Sequence, residues 1–323
     1  MLNLLPSETQ VLAAAHAQLA QVCQSCAEPL RTQLQAELAA LAATPFSAFA
    51  TLLPEWLHEI LPLDPPRRQL LASAGLAAWW YGRAHDDLLD GAAVPTVLIG
   101  AQLALLYSVQ SYAAAGALTQ TGQMALQQAV LRSAAAYAHE LASPAHDLAA
   151  IPDDALRRFT WAFGADRAAP FRVGVELYAC AAGVDPAAAA VRAASAAIDA
   201  LVMLRQIGDD LSDWTSDLRQ GRLNPVSAQL LLRFRQATSL EHQQGIDVER
   251  LVGYQVADEP FWDECHTTYQ QIVVQGQNAL AAYGATRLAE LLQQQAANGD
   301  RMFASLAAAR SVARTFVDLR KTS

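Results

Sequence analysis

Lysine is nearly missing from this chain: Lys321 is the only one among 323 residues, and every other basic residue except histidine is arginine. Charge as a whole is scarce, with 16% of residues charged and a formal net charge of −9. No basic stripe runs along the sequence, which argues against nucleic acid as a partner, because phosphate-backbone binding needs clustered cations. Cysteine is rare too. Cys23 and Cys26 form a lone C-x-x-C without the second pair that a zinc site requires. They read as ordinary packing in a reducing compartment. The opening stretch MLNLLPSETQ lacks the basic start and long apolar region of a signal peptide, so a cytoplasmic location is expected.

Valine and isoleucine are comparatively sparse, and period-two alternation of apolar and polar residues is scarce, leaving little from which to build strands. What is present instead is alanine, the best helix former, within a composition that is 53% hydrophobic. Apolar residues recur at helical spacing, punctuated near Pro29, Pro45, Pro54, Pro65, Pro95, Pro152, Pro186, Pro225 and Pro260. No fixed-period repeat or long linker interrupts them. The expectation is an all-α protein, a single domain over residues 1–323. Between Gly91 and Leu131 there is no charged residue. Gln, Ser, Thr and Gly recur through that stretch, however, so a buried helix is expected there and no membrane span.

Against this uncharged background two acidic clusters stand out: HDDLLDG, with Asp86, Asp87 and Asp90, and QIGDDLSDWTSD, with Asp209, Asp210, Asp213 and Asp217. Each ends a long apolar helical pattern, where the helix dipole is unfavourable to carboxylates. Residues four apart share a helix face, so Asp86 aligns with Asp90, and Asp209, Asp213 and Asp217 form one stripe. A plain reading is a solvated acidic helix end, with Arg83 paired to Asp87 and Arg205 to Asp209. Two matching clusters on such apolar helices instead favour a bound cation. Oxygen ligands alone suit Mg²⁺ shared with a phosphate; the Glu-x-x-His pairing of di-iron bundles is missing.

These residues also carry a resemblance. DDLLD (86–90) resembles the first Asp-rich motif of trans-isoprenyl diphosphate synthases, and QIGDDLSDWTSDLRQGR (206–222) resembles their second. RAAPFRVGVELYACAAGVD (167–185) is similar to the segment that precedes it. The resemblance, to the class I isoprenoid synthase superfamily, implies an antiparallel helical barrel or bundle around a deep central cavity. It implies three Mg²⁺ ions clamping a diphosphate, with Asp86, Asp87 and Asp90 on one side and Asp209, Asp210, Asp213 and Asp217 on the other. By position Arg167 and Arg222 stand for diphosphate-binding lysines, and Gln206 for the Gln near the reacting carbons. Tyr81, five residues before the first motif, would shorten the hydrocarbon site, and Trp79 and Trp80 lie beside it. Arg310 and Arg314 are candidates for closing the site over diphosphate, against a plain reading as a solvated helix face. A homodimer is implied by analogy.

Chain-elongating members hold a second diphosphate with a Gly-Gly-Lys-Arg stretch upstream of the first motif and an Arg-Arg pair after it. This chain has neither; Arg67 and Arg68 lie before the motif, and GAAVPTVLIG after it carries no cation. Two anions sharing a site without cations repel. The expectation is therefore a terpene synthase or cyclase that takes one allylic diphosphate of geranyl to geranylgeranyl length. A trans-prenyltransferase with a divergent second site is the alternative, and a non-catalytic partner subunit a further one.

Overall fold

Proline sets many of the helix starts. Pro6, Pro45, Pro65, Pro95 and Pro225 each occupy the first position of a helix, where a missing N–H costs nothing. The computed structural model describes residues 3–89, 95–142, 146–167, 169–239 and 245–322, and every regular element among them is an α-helix. In order these are α1 (Pro6–Gln24), α2 (Leu30–Ala42), α3 (Pro45–Leu57), α4 (Pro65–Leu89), α5 (Pro95–Ala114) and α6 (Gln120–Leu141). The short α7 (Asp153–Leu156), α8 (Trp161–Arg167), α9 (Ala169–Arg172) and α10 (Gly174–Ala182) follow. The chain ends with α11 (Ala189–Arg219), α12 (Pro225–Ala237), α13 (Val248–Ala257), α14 (Glu259–Leu280) and α15 (Thr286–Thr322). The sequence reading draws one domain over 1–323; the packing groups the chain into two compact units that interleave along it, so no linker marks them.

The first unit comprises Met1–Gln128, Phe171–Ser195 and Leu280–Leu288. Its α4 packs against α1, α3 and α5. Leu19, Leu34, Leu76, Ala77, Trp80 and Ala104 close one core there. Pro54 behaves differently from the reading of it as punctuation, since it lies inside α3. As a proline it offers no N–H to the Ala50 carbonyl one turn back. Gly75 of α4 comes up against that same carbonyl: a Cβ at Gly75 would stand 2.2 Å from the Ala50 oxygen, so only glycine permits this approach.

A buried ionic cluster ties α1 to the start of α15 within this unit. Arg287 and Glu8 are 7% and 4% exposed. Arg287 Nε donates to Glu8 Oε1 and its Nη2 to Glu8 Oε2, both at 2.7 Å. Trp56 Nε1 donates to Glu8 Oε1 at 2.8 Å, and the Leu5 backbone N–H to Oε2 at 2.8 Å. Burial alone would raise the Glu8 carboxyl, but the donors from Arg287, Leu5 and Trp56 outweigh it and hold it below its usual range.

Helix α5 departs from the expectation of a buried helix. It turns its small residues inward, burying Gly100, Ala101, Ala104, Ser108 and Ser111, with Ser108 Oγ donating to the Ala74 carbonyl at 3.0 Å. Leu98, Ile99, Leu105, Leu106 and Val109 are left exposed. It is the one described helix long and apolar enough to cross a membrane by length and composition. Cys23 is a free thiol packed in the core, pushed up to about 11 chiefly by burial, and Cys26 is free as well.

The second unit comprises Ala129–Pro170, Ala196–Ala279 and Ala289–Ser323. Here α12 packs against α7, α8 and α13. Arg235 of α12 ties down the segment before α7, its Nη1 donating to the Ile151 carbonyl at 2.8 Å and its Nη2 to the Leu148 carbonyl at 2.6 Å. Between α14 and α15, the Tyr269 hydroxyl donates to the Gln295 carbonyl at 2.8 Å, with Gly299 leaving room for the ring.

Candidate functional site

The second acidic cluster occupies the last turns of α11, in the second unit. Asp209 and Asp213 are exposed and Asp217 half-buried along one face. Partial burial, and then the like charges of Asp217 and Asp209, push Asp213 up to about 6. Desolvation by the surrounding protein raises Asp209 as well, exposed though its side chain is, against the Arg205 guanidinium that pairs with it at 3.4 Å. Two neighbouring carboxylates, Asp209 and Asp213, that disfavour their own charge are electrostatically ready for a cation.

Asp210 is turned about 100° from that stripe and is 4% exposed. Gln206 Nε2 donates to Asp210 Oδ1 at 2.8 Å, so these two residues meet each other one turn apart. Asp217 is engaged on both oxygens. Arg222 Nη2 donates to Oδ1 at 3.1 Å, and Asn224 Nδ2 to Oδ2 at 3.0 Å. The turn that makes this possible depends on Gly221, at φ +76°, which also lies so close to the His146 ring that a Cβ would stand 2.3 Å from it. Beyond the turn, Asn224 caps α12, accepting from the Ser227 backbone N–H at 3.0 Å. Sequence reasoning missed Asn224 and His146. The Asn-Pro-x-Ser pattern at 224–227 is a capping signal that could have located the first; nothing local announces the second.

The first acidic cluster ends α4, in the first unit. Asp86 and Asp87 are half-buried, and Arg83 Nη2 pairs with Asp87 Oδ1 at 2.9 Å. Both ion pairs of the plain sequence reading, Arg83–Asp87 and Arg205–Asp209, are thus formed. Asp90 lies outside the described residues, as does the side chain of Arg167 at the end of α8. Tyr81 is half-buried, its ring 4.4 Å from that of His85.

Arg310 and Arg314 lie on α15 against the junction of α13 and α14, in the second unit. The Arg310 guanidinium sits over the Trp262 ring at 5.1 Å. Arg314 Nε donates to the Val256 carbonyl at 2.9 Å, and its Nη1 pairs with Glu259. In this arrangement the two arginines hold helices together.

All the donors on the acidic stripes are oxygens, the set that suits Mg²⁺ or Ca²⁺. Among the described residues no three His, Cys, Asp or Glu side chains gather closely enough to hold a metal by themselves.

The all-α fold is matched nearly end to end by solved structures of prenyl-chain synthases. A decaprenyl diphosphate synthase from Rhodobacter capsulatus aligns with a TM-score of 0.69 at 16% identity, covering 93% of this chain and 97% of its own. A polyprenyl synthase from Caulobacter crescentus, complexed with calcium and isoprenyl diphosphate, aligns with a TM-score of 0.66 at 17% identity, covering 89% and 94%. A geranylgeranyl pyrophosphate synthase from Corynebacterium glutamicum, complexed with isoprenyl diphosphate and magnesium, gives 0.54 at 14% identity, covering 89% and 98%. No protein-family model matches the chain, and neither does any curated protein.

Proposed function

We propose that this chain ionises an allylic isoprenoid diphosphate, of geranyl to geranylgeranyl length, and passes the prenyl group on as a prenyltransferase. The observation that carries the reading is the carboxylate stripe Asp209–Asp213–Asp217, with Asp213 held up at about 6 until a cation takes the place of its proton. On α11 Asp209 and Asp213 would hold Mg²⁺, and on α4 Asp86 and Asp87 are the residues the resemblance assigns to it; three ions is the number the resemblance implies. Bound there, the metal neutralises the charge of the leaving diphosphate. Arg222 adds a charged donor, oriented by Asp217. Gln206 is held by Asp210 rather than left to swing.

Prenyl transfer is preferred to the cyclase expectation because the three structural neighbours described above are named as a decaprenyl diphosphate synthase, a polyprenyl synthase and a geranylgeranyl pyrophosphate synthase. One observation keeps the terpene-synthase reading as the second. Arg67 pairs with Asp64, and Arg68 Nη1 pairs with Glu55 Oε2 at 3.0 Å, so this arginine pair is already engaged rather than offered to a second diphosphate.

Product analysis separates the two. Geranyl, farnesyl and geranylgeranyl diphosphates are each supplied with Mg²⁺, with and without isopentenyl diphosphate. Longer diphosphates formed only with isopentenyl diphosphate are the expected result. A hydrocarbon or alcohol formed without it means a terpene synthase, and no turnover in any arm means a non-catalytic partner subunit.

The uncharged stripe of Leu98, Leu105, Leu106 and Val109 on α5 supports pairing with a second copy of the chain, since an apolar face docks on its own symmetry mate without like-charge repulsion. Light scattering on the eluting protein should report twice the 34.6 kDa chain mass. Leu106→Glu should shift it to the monomer. A wild-type monomer would sink this assignment.

A further inference from the structure

Trp79 lies seven residues before Asp86 on α4, so the two share a face about 10 Å apart along the helix axis. Its indole ring meets Phe46 of α3 at 4.6 Å and Phe171 of α9 at 5.1 Å between centroids. Phe46 and Phe171 meet at 4.7 Å. Three helices thus each give one ring to a single cluster, and all three rings belong to the first unit. These rings are only half-buried, whereas their neighbours Phe49, Trp56 and Trp80 are 8%, 1% and 6% exposed. Trp79 Nε1 reaches Thr44 Oγ1 at 3.4 Å, which fixes the ring by its edge. Ring faces carry the negative side of the aromatic quadrupole and attract cations.

Resting on the allylic-diphosphate reading, we propose that Phe46, Trp79 and Phe171 form the wall that stabilises the carbocation. In the step concerned, the carbon–oxygen bond of the allylic diphosphate breaks, both electrons leave with the diphosphate oxygen, and the positive charge stays delocalised over the allylic carbons. No proton moves. A prenyl chain whose diphosphate is bound at Asp86 and which lies along this face of α4 passes over Trp79. Of the three consecutive aromatic residues Trp79, Trp80 and Tyr81, only Trp79 belongs to this wall. Trp80 is closed into the core and the Tyr81 ring is occupied with His85, while Phe46 and Phe171 join from elsewhere in the chain.

The test compares two non-reacting ligands by calorimetry in the presence of Mg²⁺ and inorganic diphosphate. One is an ammonium analogue of the geranyl cation, the other its hydrocarbon isostere with carbon in place of nitrogen. The wild type should prefer the ammonium compound by about tenfold. Trp79→Leu should bring the ratio close to one, and Phe46→Leu and Phe171→Leu should each lower it severalfold. Leucine keeps bulk and apolarity but has no π face, so a purely packing role weakens both ligands alike and leaves the ratio unchanged. An unchanged ratio in folded variants overturns the proposal, and if Trp79→Leu does not fold, Phe171→Leu decides. Diphosphate release by the wild type from geranyl or farnesyl diphosphate, with and without isopentenyl diphosphate, is measured alongside. Release with an unchanged ratio sinks the wall alone, whereas no release and no binding of either analogue sinks the functional reading and the wall with it.

Discussion

Asp213→Asn is expected to lower diphosphate release by roughly 10²–10³-fold, the usual cost of removing one preorganised group that meets developing charge. Asparagine keeps the shape and removes only the charge, and the side chain is exposed, so the fold should be unaffected. The same residue predicts a pH signature in the metal-free protein. Its carboxyl is raised from 3.8 to about 6 on folding. A group whose pKa is raised on folding binds its proton more tightly in the folded state, so its contribution to stability falls as pH rises from about 3.8 to about 6 and stays reduced above. A cation reverses that penalty. Mg²⁺ with inorganic diphosphate should therefore raise the melting temperature more at about pH 7 than at about pH 5, and Asp213→Asn should remove most of the difference. Equal shifts at both pH values, or full activity in the variant, would take the stripe out of the site.

The largest loss of stability should come from Glu8→Ala, about 3–5 kcal/mol, because it leaves the Arg287 guanidinium buried without its counter-charge and removes the acceptor of the Trp56 N–H. Denaturant unfolding of the isolated protein measures this. Replacing both partners, Glu8→Leu with Arg287→Met, should recover much of the deficit, since the cost arises from an orphaned charge. The Glu8 carboxyl lies below its usual value, so its stabilising contribution is present above the unfolded value near 4.5 and is lost as pH falls through the folded value. Acid unfolding should accordingly begin at higher pH in any variant that weakens this cluster. A variant as stable as the wild type would mean that the cluster is not closed in solution.

What could be read from the sequence was local. Alanine content and helical spacing gave an all-α chain, and prolines located the starts of α3, α4, α5 and α12. The four-residue spacing placed Asp209, Asp213 and Asp217 on one face, and it also anticipated the Arg83–Asp87 and Arg205–Asp209 pairs. The same spacing could not tell Asp210 from its neighbours in kind, although the structure buries it. Nor could it show that Asp217 is held by Asn224 across a glycine turn, because that turn depends on a positive φ at Gly221. Pro54 misled because proline was taken as a stop, while the fold tolerates it where Gly75 meets the released carbonyl. The aromatic cluster and the Glu8–Arg287 pair could not be read at all. Their members are brought together only by packing of helices far apart in the chain, and no periodicity records that.

That last pair also bears on how the chain is made. Glu8 and Arg287 are separated by 279 positions. Helix α1 therefore emerges from the ribosome with an acidic side chain destined for the interior, long before the arginine that matches it is synthesised. At about 5–20 residues per second the interval is on the order of 15–60 seconds. During it the amino-terminal helix can dock only loosely, or must carry its charge outward to solvent. Chains truncated before Arg287 should therefore be far more open to proteolysis around α1 than chains that contain it, and the arrival of Arg287 becomes the event that locks the first helix in place.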